Sequence, residues 1–322
     1  MNRYIRILGQ FMCLCMLALF AGLLCSCNFH DGFFVSGSEK YVPEDPFGNP
    51  PEYVANALST KGTQPSDFSF LLITDPHFIR PDKGTYYATD AFFRWLEHKK
   101  DSLEFAINLG DVTDDSLESE FKTYQEFTEK LKNTYDLPCF SVVGNHDNRK
   151  AGPDLWNKYV QTPPYYRFVH KEISFYMLDS SSRTLGKRQM EYLKAAIAED
   201  PNKKLFCSHI PLYGKADLFY FAMSDTQERN LIIKLMMEND VGMYLSGHHH
   251  KGDVIYRYSD TCSEFIAGAF HGRDSIFEGP ARWYICNYGS TGNTLTITRY
   301  TKYTNTDTTA DIEETLMGTF QL

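Results

Sequence analysis

The spacing of apolar and polar residues changes along the chain, and these changes indicate a folded region that we expect to begin at Phe68. The apolar run from Phe68 to Thr74 predicts a buried strand, whereas apolar residues three and four positions apart between Asp115 and Asn133 predict an amphipathic helix. The same patterns predict strands at 104–109 and 139–143 and a helix at 87–100. Strands that alternate with helices pair in parallel through right-handed crossovers, so this region predicts an α/β fold.

In the second half of the chain, strands become more frequent. Residues 165–170 and 173–178 predict a hairpin, followed by helices at 187–199 and 227–239 and strands at 205–207 and 242–245. Four strand-like runs then follow one another, at 254–258, 264–269, 283–288 and 294–300. Successive strands without intervening helices favour a second, largely antiparallel sheet.

The residues before Phe68 predict an export signal followed by a tether. Arginines near the N-terminus precede an apolar run from Phe11 to Leu24, which is the layout of a signal peptide and is too short to span a membrane comfortably. Leu24-Cys25-Ser26-Cys27 resembles a bacterial lipobox with Cys27 as the lipidated residue, and cleavage by an ordinary signal peptidase is the alternative. We expect residues 1–27 to form this signal, the Pro-, Gly- and Ser-rich residues 28–66 a flexible tether, and residues 67–322 the domain.

These N-terminal signals predict a protein that is exported to the bacterial cell envelope and anchored by lipid, facing the periplasm or the cell surface. The composition, 43% hydrophobic and 23% charged, is that of a globular protein with a substantial core. A net charge of −9 argues against an extended surface for nucleic acid, although bound cations could still attract a nucleotide. Cys139, Cys207, Cys262 and Cys286 lie in strand-like runs; export permits disulfides, but buried free thiols are the favoured interpretation.

Polar residues that commonly bind metals follow five of the predicted strands. Singly, each has an ordinary structural explanation: Asp111 could cap a helix, His209 could be a packed histidine and Asp147 could stabilise a turn. Together they favour one metal site, because ligands bind beyond the carboxyl ends of parallel strands. The five groups are Asp75 and His77, Asp111 after Gly110, Asn145-His146-Asp147 after Gly144, His209, and His248-His249-His250 after Gly247.

This series of motifs, D-x-H, G-D, G-N-H-D, H and G-H-x-H, resembles the calcineurin-like metallophosphoesterase family from Phe68 to the final strands. The resemblance implies a four-layer α/β-β/α sandwich of two mixed sheets with a dinuclear metal site at the strand ends. Its two divalent ions would be Mn, Fe or Zn, because the ligands mix nitrogen and oxygen.

The resemblance also implies a role for each residue of the motifs. Asp75, His77 and His250 would bind the first metal, Asn145, His209 and His248 the second, and Asp111 would bridge the two. His146 would be the catalytic histidine that reaches the substrate from outside the metals, and Asp147 could orient the site as a hydrogen-bond acceptor. His249 stays unassigned.

The implied activity is hydrolysis of a phosphorylated small molecule by a hydroxide that bridges the metals. We favour a phosphodiester or nucleotide-type substrate. The alternatives are an acid-phosphatase-like phosphomonoesterase and, from a different class, a non-catalytic metal-binding envelope lipoprotein. Arg149 and the segment containing His271 could line the substrate cleft, although His271 could equally be a surface-loop residue, and the aromatic run at 218–221 predicts core or lid packing. The sequence leaves the oligomeric state open.

Overall fold

The structure, a computed structural model, describes residues 37–78, 85–87, 89–214, 222–273, 279–304, 306 and 308–322. The predicted signal peptide, its Cys27, the first part of the expected tether and the aromatic run at 218–221 lie outside the described residues.

The strands of the described residues form two six-stranded sheets and a two-stranded ribbon. In chain order they are β1 (Phe68–Ile73), β2 (Thr85–Tyr87), β3 (Phe105–Asn108), β4 (Cys139–Ser141), β5 (Tyr166–His170), β6 (Ile173–Met177), β7 (Lys203–Cys207), β8 (Val241–Ser246), β9 (Val254–Ser259), β10 (Cys262–Ile266), β11 (His271–Arg273), β12 (Ala281–Gly289), β13 (Thr294–Lys302) and β14 (Ile312–Gln321). The first sheet has the order β14-β13-β12-β1-β3-β4, the second has the order β5-β6-β7-β8-β10-β9, and β2 pairs with β11.

Helices cover the outer faces of both sheets. They are α1 (Glu52–Leu58), α2 (Thr89–Glu97), α3 (Glu118–Tyr135), α4 (Gly152–Tyr159), α5 (Gly186–Glu199) and α6 (Thr226–Glu238). Residues from α2 and α3 pack on the outer face of the first sheet, and residues from α5 and α6 pack on the outer face of the second. These layers confirm the four-layer α/β-β/α sandwich that the resemblance implied.

The two sheets pack face to face through an aromatic core. The Phe70 and Phe105 rings of the first sheet stack with centroids 5.4 Å apart, and Phe175 of the second sheet meets both edge-on at 5.6 and 5.5 Å. Because β1 is buried on both faces, Phe70 points into this core whereas Leu71 packs under the helices. Parallel pairing of β1 with β3 and of β3 with β4 then brings their carboxyl ends to one edge of the sheet.

The final strands differ from the expected separate antiparallel sheet, and that prediction was wrong. β9 and β10 join the second sheet, where β10 lies parallel to β8, whereas β12, β13 and β14 extend the first sheet from β1. Along β12, Tyr284 and Cys286 face the core between the sheets while Trp283 packs under the helices. Apolar patterning shows that such a strand is buried, but it does not determine which strand is its neighbour.

Part of the segment that we expected to be a tether packs against the domain. A 3₁₀ helix at Gly37–Tyr41 precedes α1, and both Phe47 and Val54 are buried. The Phe47 ring lies 5.5 Å from the Tyr176 ring, and Val54 belongs to the core between the sheets. Repeated prolines and glycines leave no regular spacing of apolar residues in this segment, and for this reason its packing was not predicted.

The four cysteines of the domain are free and buried, which confirms the interpretation favoured from sequence. Burial raises the pKa of Cys139 to about 12, so this thiol is protonated and unreactive at neutral pH. Among the described residues, no helix combines the length and apolar character that crossing a membrane requires.

A buried carboxyl on β10 makes stability depend on pH. Glu264 accepts hydrogen bonds from the Leu212 N–H at 2.7 Å and the Tyr258 hydroxyl at 2.6 Å, and burial raises its pKa from 4.5 to about 7. The folded state therefore binds this proton more tightly than the unfolded state, so the free energy of unfolding falls as pH rises from 4.5 to about 7.

We expect Glu264→Gln to reduce this fall, because the amide keeps an oxygen acceptor and carries no charge. Urea unfolding across the same pH range measures the effect, with Glu126→Gln on the exposed face of α3 as the control. An unchanged pH dependence in Glu264→Gln would show that another group controls it.

Candidate metal centre

Backbone hydrogen bonds join the loops that follow β1 and β3. The Asp75 N–H donates to the Gly110 carbonyl at 3.0 Å, and the His77 N–H donates to the Asp111 carbonyl at 3.1 Å. Asp75, His77 and Asp111 have left-handed backbone conformations, with φ of 47°, 41° and 51°. Non-glycine residues rarely adopt this conformation, and clusters of it are typical of functional sites.

Two glycines allow a third loop, which follows β4, to pack against this pair. A Cβ atom at Gly144 would lie 2.0 Å from the Asp111 amide nitrogen, and one at Gly110 would lie 2.8 Å from the Gly144 nitrogen. Any side chain at either position would force the loops apart. The glycines that precede Asp111 and Asn145 in the sequence are therefore required by the close approach of the loops.

The first group of ligand-type atoms surrounds one oxygen of Asp75. Asp75 Oδ2 accepts hydrogen bonds from the Thr74 hydroxyl at 2.6 Å and the His248 N–H at 2.9 Å. Asp75 Oδ1 is buried and accepts no hydrogen bond within the described part of the chain. It lies 3.5 Å from His250 Nε2 and 3.8 Å from His77 Nε2, so a cation between these three atoms would satisfy it.

The second group surrounds His209 Nε2. This nitrogen lies 3.0 Å from Asn145 Oδ1, 3.2 Å from Asp111 Oδ2 and 3.2 Å from His248 Nδ1. The other nitrogen, Nδ1, lies 2.8 Å from the Leu109 carbonyl, which can only accept, so Nδ1 carries the proton. When the ring is neutral, Nε2 therefore carries a lone pair that faces the lone pairs of these three neighbouring atoms. A cation bound between them would remove the repulsion.

Asp111 lies between the two groups. Its Oδ2 is 3.5 Å from His77 Nε2 and 3.2 Å from His209 Nε2, while its Oδ1 accepts a hydrogen bond of 2.7 Å from the His146 N–H. Burial favours the protonated carboxyl, but His209 and the other nearby imidazoles hold the pKa of Asp111 well below its usual range. The carboxylate is thus charged and lies within 3.5 Å of a histidine nitrogen from each group.

The protonation of His77 and His248 suits metal binding, since neutral imidazole is the ligand form. Burial lowers the pKa of His77 well below its usual range and that of His248 to about 3. Burial would also lower the pKa of His209, yet the Asp111 carboxylate beside it raises that pKa to about 9. A proton on His209 thus supplies the positive charge that a metal ion would supply, and the mixed nitrogen and oxygen donors fit Mn, Fe or Zn.

His146 is held beside these groups by the loop that follows Asp111. Its Nδ1 lies 2.5 Å from the Asp114 carbonyl, so Nδ1 carries the proton and Nε2 is left for another partner. The ring is partly exposed, and burial lowers its pKa. Arg149 lies next to it: its N–H donates to the Ser116 hydroxyl at 3.3 Å, and its guanidinium donates to the Asp114 carbonyl at 3.5 Å.

Asp147 supports the backbone of the site. This buried carboxylate accepts hydrogen bonds from the Gly144 N–H at 2.9 Å, the Thr113 N–H at 2.9 Å and the Val112 N–H at 3.2 Å. Burial raises its pKa to about 7. Asp147 therefore acts as the acceptor that we considered from sequence, and its partners are the loops that carry Asp111 and Asn145.

Asp114 is a site residue that the sequence interpretation missed. Its buried Oδ1 lies 3.3 Å from His77 Nδ1 and 3.8 Å from His146 Nδ1. A carboxylate behind a ligating histidine orients the ring and makes it more basic. The sequence does show a second aspartate three residues after Asp111. The neighbouring Asp115, which is exposed, has the same side chain, so the sequence does not tell which of the two belongs to the site.

His271 is buried and lies against the first group, so a surface-loop position is excluded. Its Nδ1 is 2.7 Å from the Asp75 carbonyl, and one nitrogen each of His77, His250 and His271 lie within 4.8 Å of one another. His249 is buried as well, and its backbone N–H donates to the Gly247 carbonyl at 2.7 Å. The structure thus brings every predicted ligand to one edge of the two sheets.

The fold and this site define a metal-binding α/β protein whose ligand-type residues follow the strands. The chain belongs to the calcineurin-like phosphoesterase family, whose model matches residues 68–252. Among curated proteins, no match is found.

Solved structures that share the fold include two with low sequence identity to this chain. GAP50, the anchor in the inner membrane complex of Plasmodium, is 13% identical with a TM-score of 0.58, and the match covers 78% of this chain and 88% of that one. The purple acid phosphatase PPD1 from yellow lupin (Lupinus luteus) seeds is 11% identical with a TM-score of 0.55, over 78% of this chain and 54% of that one. Identities this low show the shared fold alone.

We expect Asp114→Asn to weaken metal binding by about 10–100-fold, because the carboxylate behind His77 becomes a neutral amide. Competition with a chromophoric chelator measures the dissociation constants, and the melting temperature reports folding. Asp115→Asn, which changes the exposed neighbouring carboxylate, is the matched control and should bind metal normally. Equal affinities in the two variants would remove Asp114 from the site.

Proposed function

We propose that this protein is a metal-dependent phosphoric-ester hydrolase that acts on a phosphodiester or nucleotide-type substrate. The observation that carries the proposal is the convergence of two ligand groups on the shared carboxylate of Asp111, with His146 fixed beside them. Membership of the calcineurin-like phosphoesterase family supports the reaction class. Asp75, His77 and His250 would hold one ion, and Asn145, His209 and His248 a second.

The residues around the metals would orient the substrate and supply a proton. Two divalent cations would draw charge from a phosphoryl oxygen and lower the pKa of a bound water. His146 has its Nδ1–H on the Asp114 carbonyl. When Nε2 is also protonated, it would donate a hydrogen bond to a phosphoryl oxygen or a proton to the leaving oxygen. Arg149, next to His146, would attract the anionic substrate.

The charge of the site suits an anionic phosphate ester. The buried carboxylates of Asp75, Asp111 and Asp114 would offset most of the charge of two divalent cations. Arg149 adds one positive charge at the edge of the site. The net positive charge that remains would attract an anionic phosphate ester.

To test the proposal, the detergent-solubilised chain is loaded with Mn²⁺ and given an aryl phosphate diester or the matching monoester. We expect faster turnover of the diester. His146→Ala should lower kcat by about 10²–10⁴-fold with unchanged metal content, because it removes a proton donor and no ligand. The exposed His98→Ala, which changes the residue after α2, is the control.

Three other results would contradict parts of the proposal. Faster turnover of the monoester would favour the acid-phosphatase-like alternative. Loss of metal from His146→Ala would make His146 a ligand. Bound metal without turnover of either ester would favour the non-catalytic lipoprotein.

We also propose that the protein is exported and anchored by lipid on Cys27, as the lipobox-like Leu24-Cys25-Ser26-Cys27 indicates. Acyl chains anchor a protein by burying many methylene groups in the bilayer. Cys27→Ser should move the protein to the soluble fraction and abolish incorporation of labelled fatty acid, whereas the control Cys25→Ser should do neither. Identical fractionation of both variants would refute lipidation at Cys27.

A further inference from the structure

His271 is held between two loops that carry proposed metal ligands. The Phe270 N–H donates to the Thr74 carbonyl at 2.8 Å, and the Ala269 N–H donates to the His250 carbonyl at 2.9 Å. The segment that enters β11 is thereby fixed to the Asp75 loop on one side and to the His250 loop on the other. His271, the next residue, is 4% exposed.

The ring of His271 has a defined orientation. Its Nδ1 lies 2.7 Å from the Asp75 carbonyl, and because a carbonyl can only accept, Nδ1 carries the proton and Nε2 has the lone pair when the ring is neutral. His209 is held in the same way, with Nδ1 on the Leu109 carbonyl at 2.8 Å and Nε2 among the ligands of the second group. A backbone carbonyl on the far nitrogen is the usual support of a metal-bound histidine.

The spacing of three rings fits one ion. The ring centroids of His77 and His250 are 5.0 Å apart, those of His250 and His271 are 4.8 Å apart, and those of His77 and His271 are 5.3 Å apart. Imidazoles bound to one metal at about 2.1 Å have centroids about 4.5–5.2 Å apart when they occupy adjacent positions. His209 and His248, from the second group, are 5.0 Å apart.

Ring spacing alone is not decisive, because His146 also lies 4.6 Å from His77. That contact is on the other side of His77: the Nδ1 atoms of both rings face Asp114 Oδ1, at 3.3 and 3.8 Å. His77 Nε2 instead faces Asp75 and Asp111. Ligand atoms of His77, His250 and His271 lie close enough together to hold one metal ion. His146 lies close to His77 in a different group, which contains Asp114.

We propose that His271 is a third imidazole ligand of the first metal position, together with His77 and His250. The inference rests on the metal-binding role proposed above for His77 and His250. It gives this position three nitrogen donors in addition to the Asp75 and Asp111 carboxylates. Such a nitrogen-rich set favours Zn²⁺ or Fe²⁺ over Mn²⁺ and Mg²⁺, and it leaves fewer positions open to water than at the second metal.

The test measures metal binding by the full-length protein with Zn²⁺, Mn²⁺ and Co²⁺ as probes. His271→Ala removes the ring, and His271→Gln keeps a side-chain N–H that can donate to the Asp75 carbonyl. His170→Ala, which removes a buried histidine bonded to Glu104 at 2.7 Å, controls for the loss of a packed ring. We expect both His271 variants to bind one of the two Zn²⁺ ions at least about 10–100-fold more weakly. Removing a residue that only supports a metal ligand already has an effect of this size.

Selectivity and spectroscopy provide readouts that do not depend on turnover. The preference for Zn²⁺ over Mn²⁺ should fall at the weakened site in both His271 variants and stay unchanged in His170→Ala. In the Co²⁺-loaded protein, a coordinated His271 gives a paramagnetically shifted, exchangeable Nδ1–H resonance. That resonance should be absent from the spectrum of His271→Gln.

Normal Zn²⁺ affinity in His271→Ala would overturn the inference. Normal affinity in His271→Gln alone would also overturn it, because His271 would then act only by holding the Asp75 loop. Failure of the unaltered protein to bind any metal would refute the proposed function itself, whereas two ions bound with unchanged affinity in every variant would refute only the role of His271.

Discussion

Two buried carboxylates, Asp75 and Asp111, are the constraint on which this site depends. Burial favours their protonated forms, but the imidazoles around them, His250 and His209 among them, keep the pKa of each carboxyl below its usual range. A pair of charged carboxylates away from water is costly unless cations or donors surround it. A protonated His209, the backbone N–H groups and the proposed metals all serve to stabilise this charged pair.

The fold brings these charges together by the close approach of backbones. Parallel strands place the loops after β1, β3 and β4 at one edge, and the Asp75 N–H bonded to the Gly110 carbonyl fixes their relative positions. Gly144 then permits contact with the Asp111 backbone that no side chain would allow. Asp147 closes the arrangement by accepting hydrogen bonds from two of the three loops. The second sheet adds His209, His248 and His250 from its own strand ends.

Sequence reasoning succeeded where the information was local. The motifs from Asp75 to His250 could be found because each follows an apolar strand, and strand ends share an edge in a parallel sheet. The choice of neighbouring strand is not local. For this reason β12 was assigned to the wrong sheet, although residues 283–288 were correctly predicted to form a strand. Phe47 and Val54 were missed because a few buried side chains leave no period in a proline-rich segment.

The same distinction explains why Asp114 was missed and why the position of His271 was left undecided. Asp114 and Asp115 are indistinguishable in sequence, and only the path of the loop after β3 makes the first buried and the second exposed. His271 depends on the pairing of β11 with β2 and on the bond from the Phe270 N–H to the Thr74 carbonyl, which link distant segments.

Backbone carbonyls, and not side chains alone, decide how the histidines of this site can act. His146, His209 and His271 each direct Nδ1 to a carbonyl of a first-sheet loop, at 2.5, 2.8 and 2.7 Å. In the neutral ring, each carbonyl selects the tautomer in which Nδ1 carries the proton and Nε2 carries the lone pair. The loops thereby hold the rings, and the rings in turn fix the loops. Because metal binding to such rings requires the folded loops, it must also stabilise the fold.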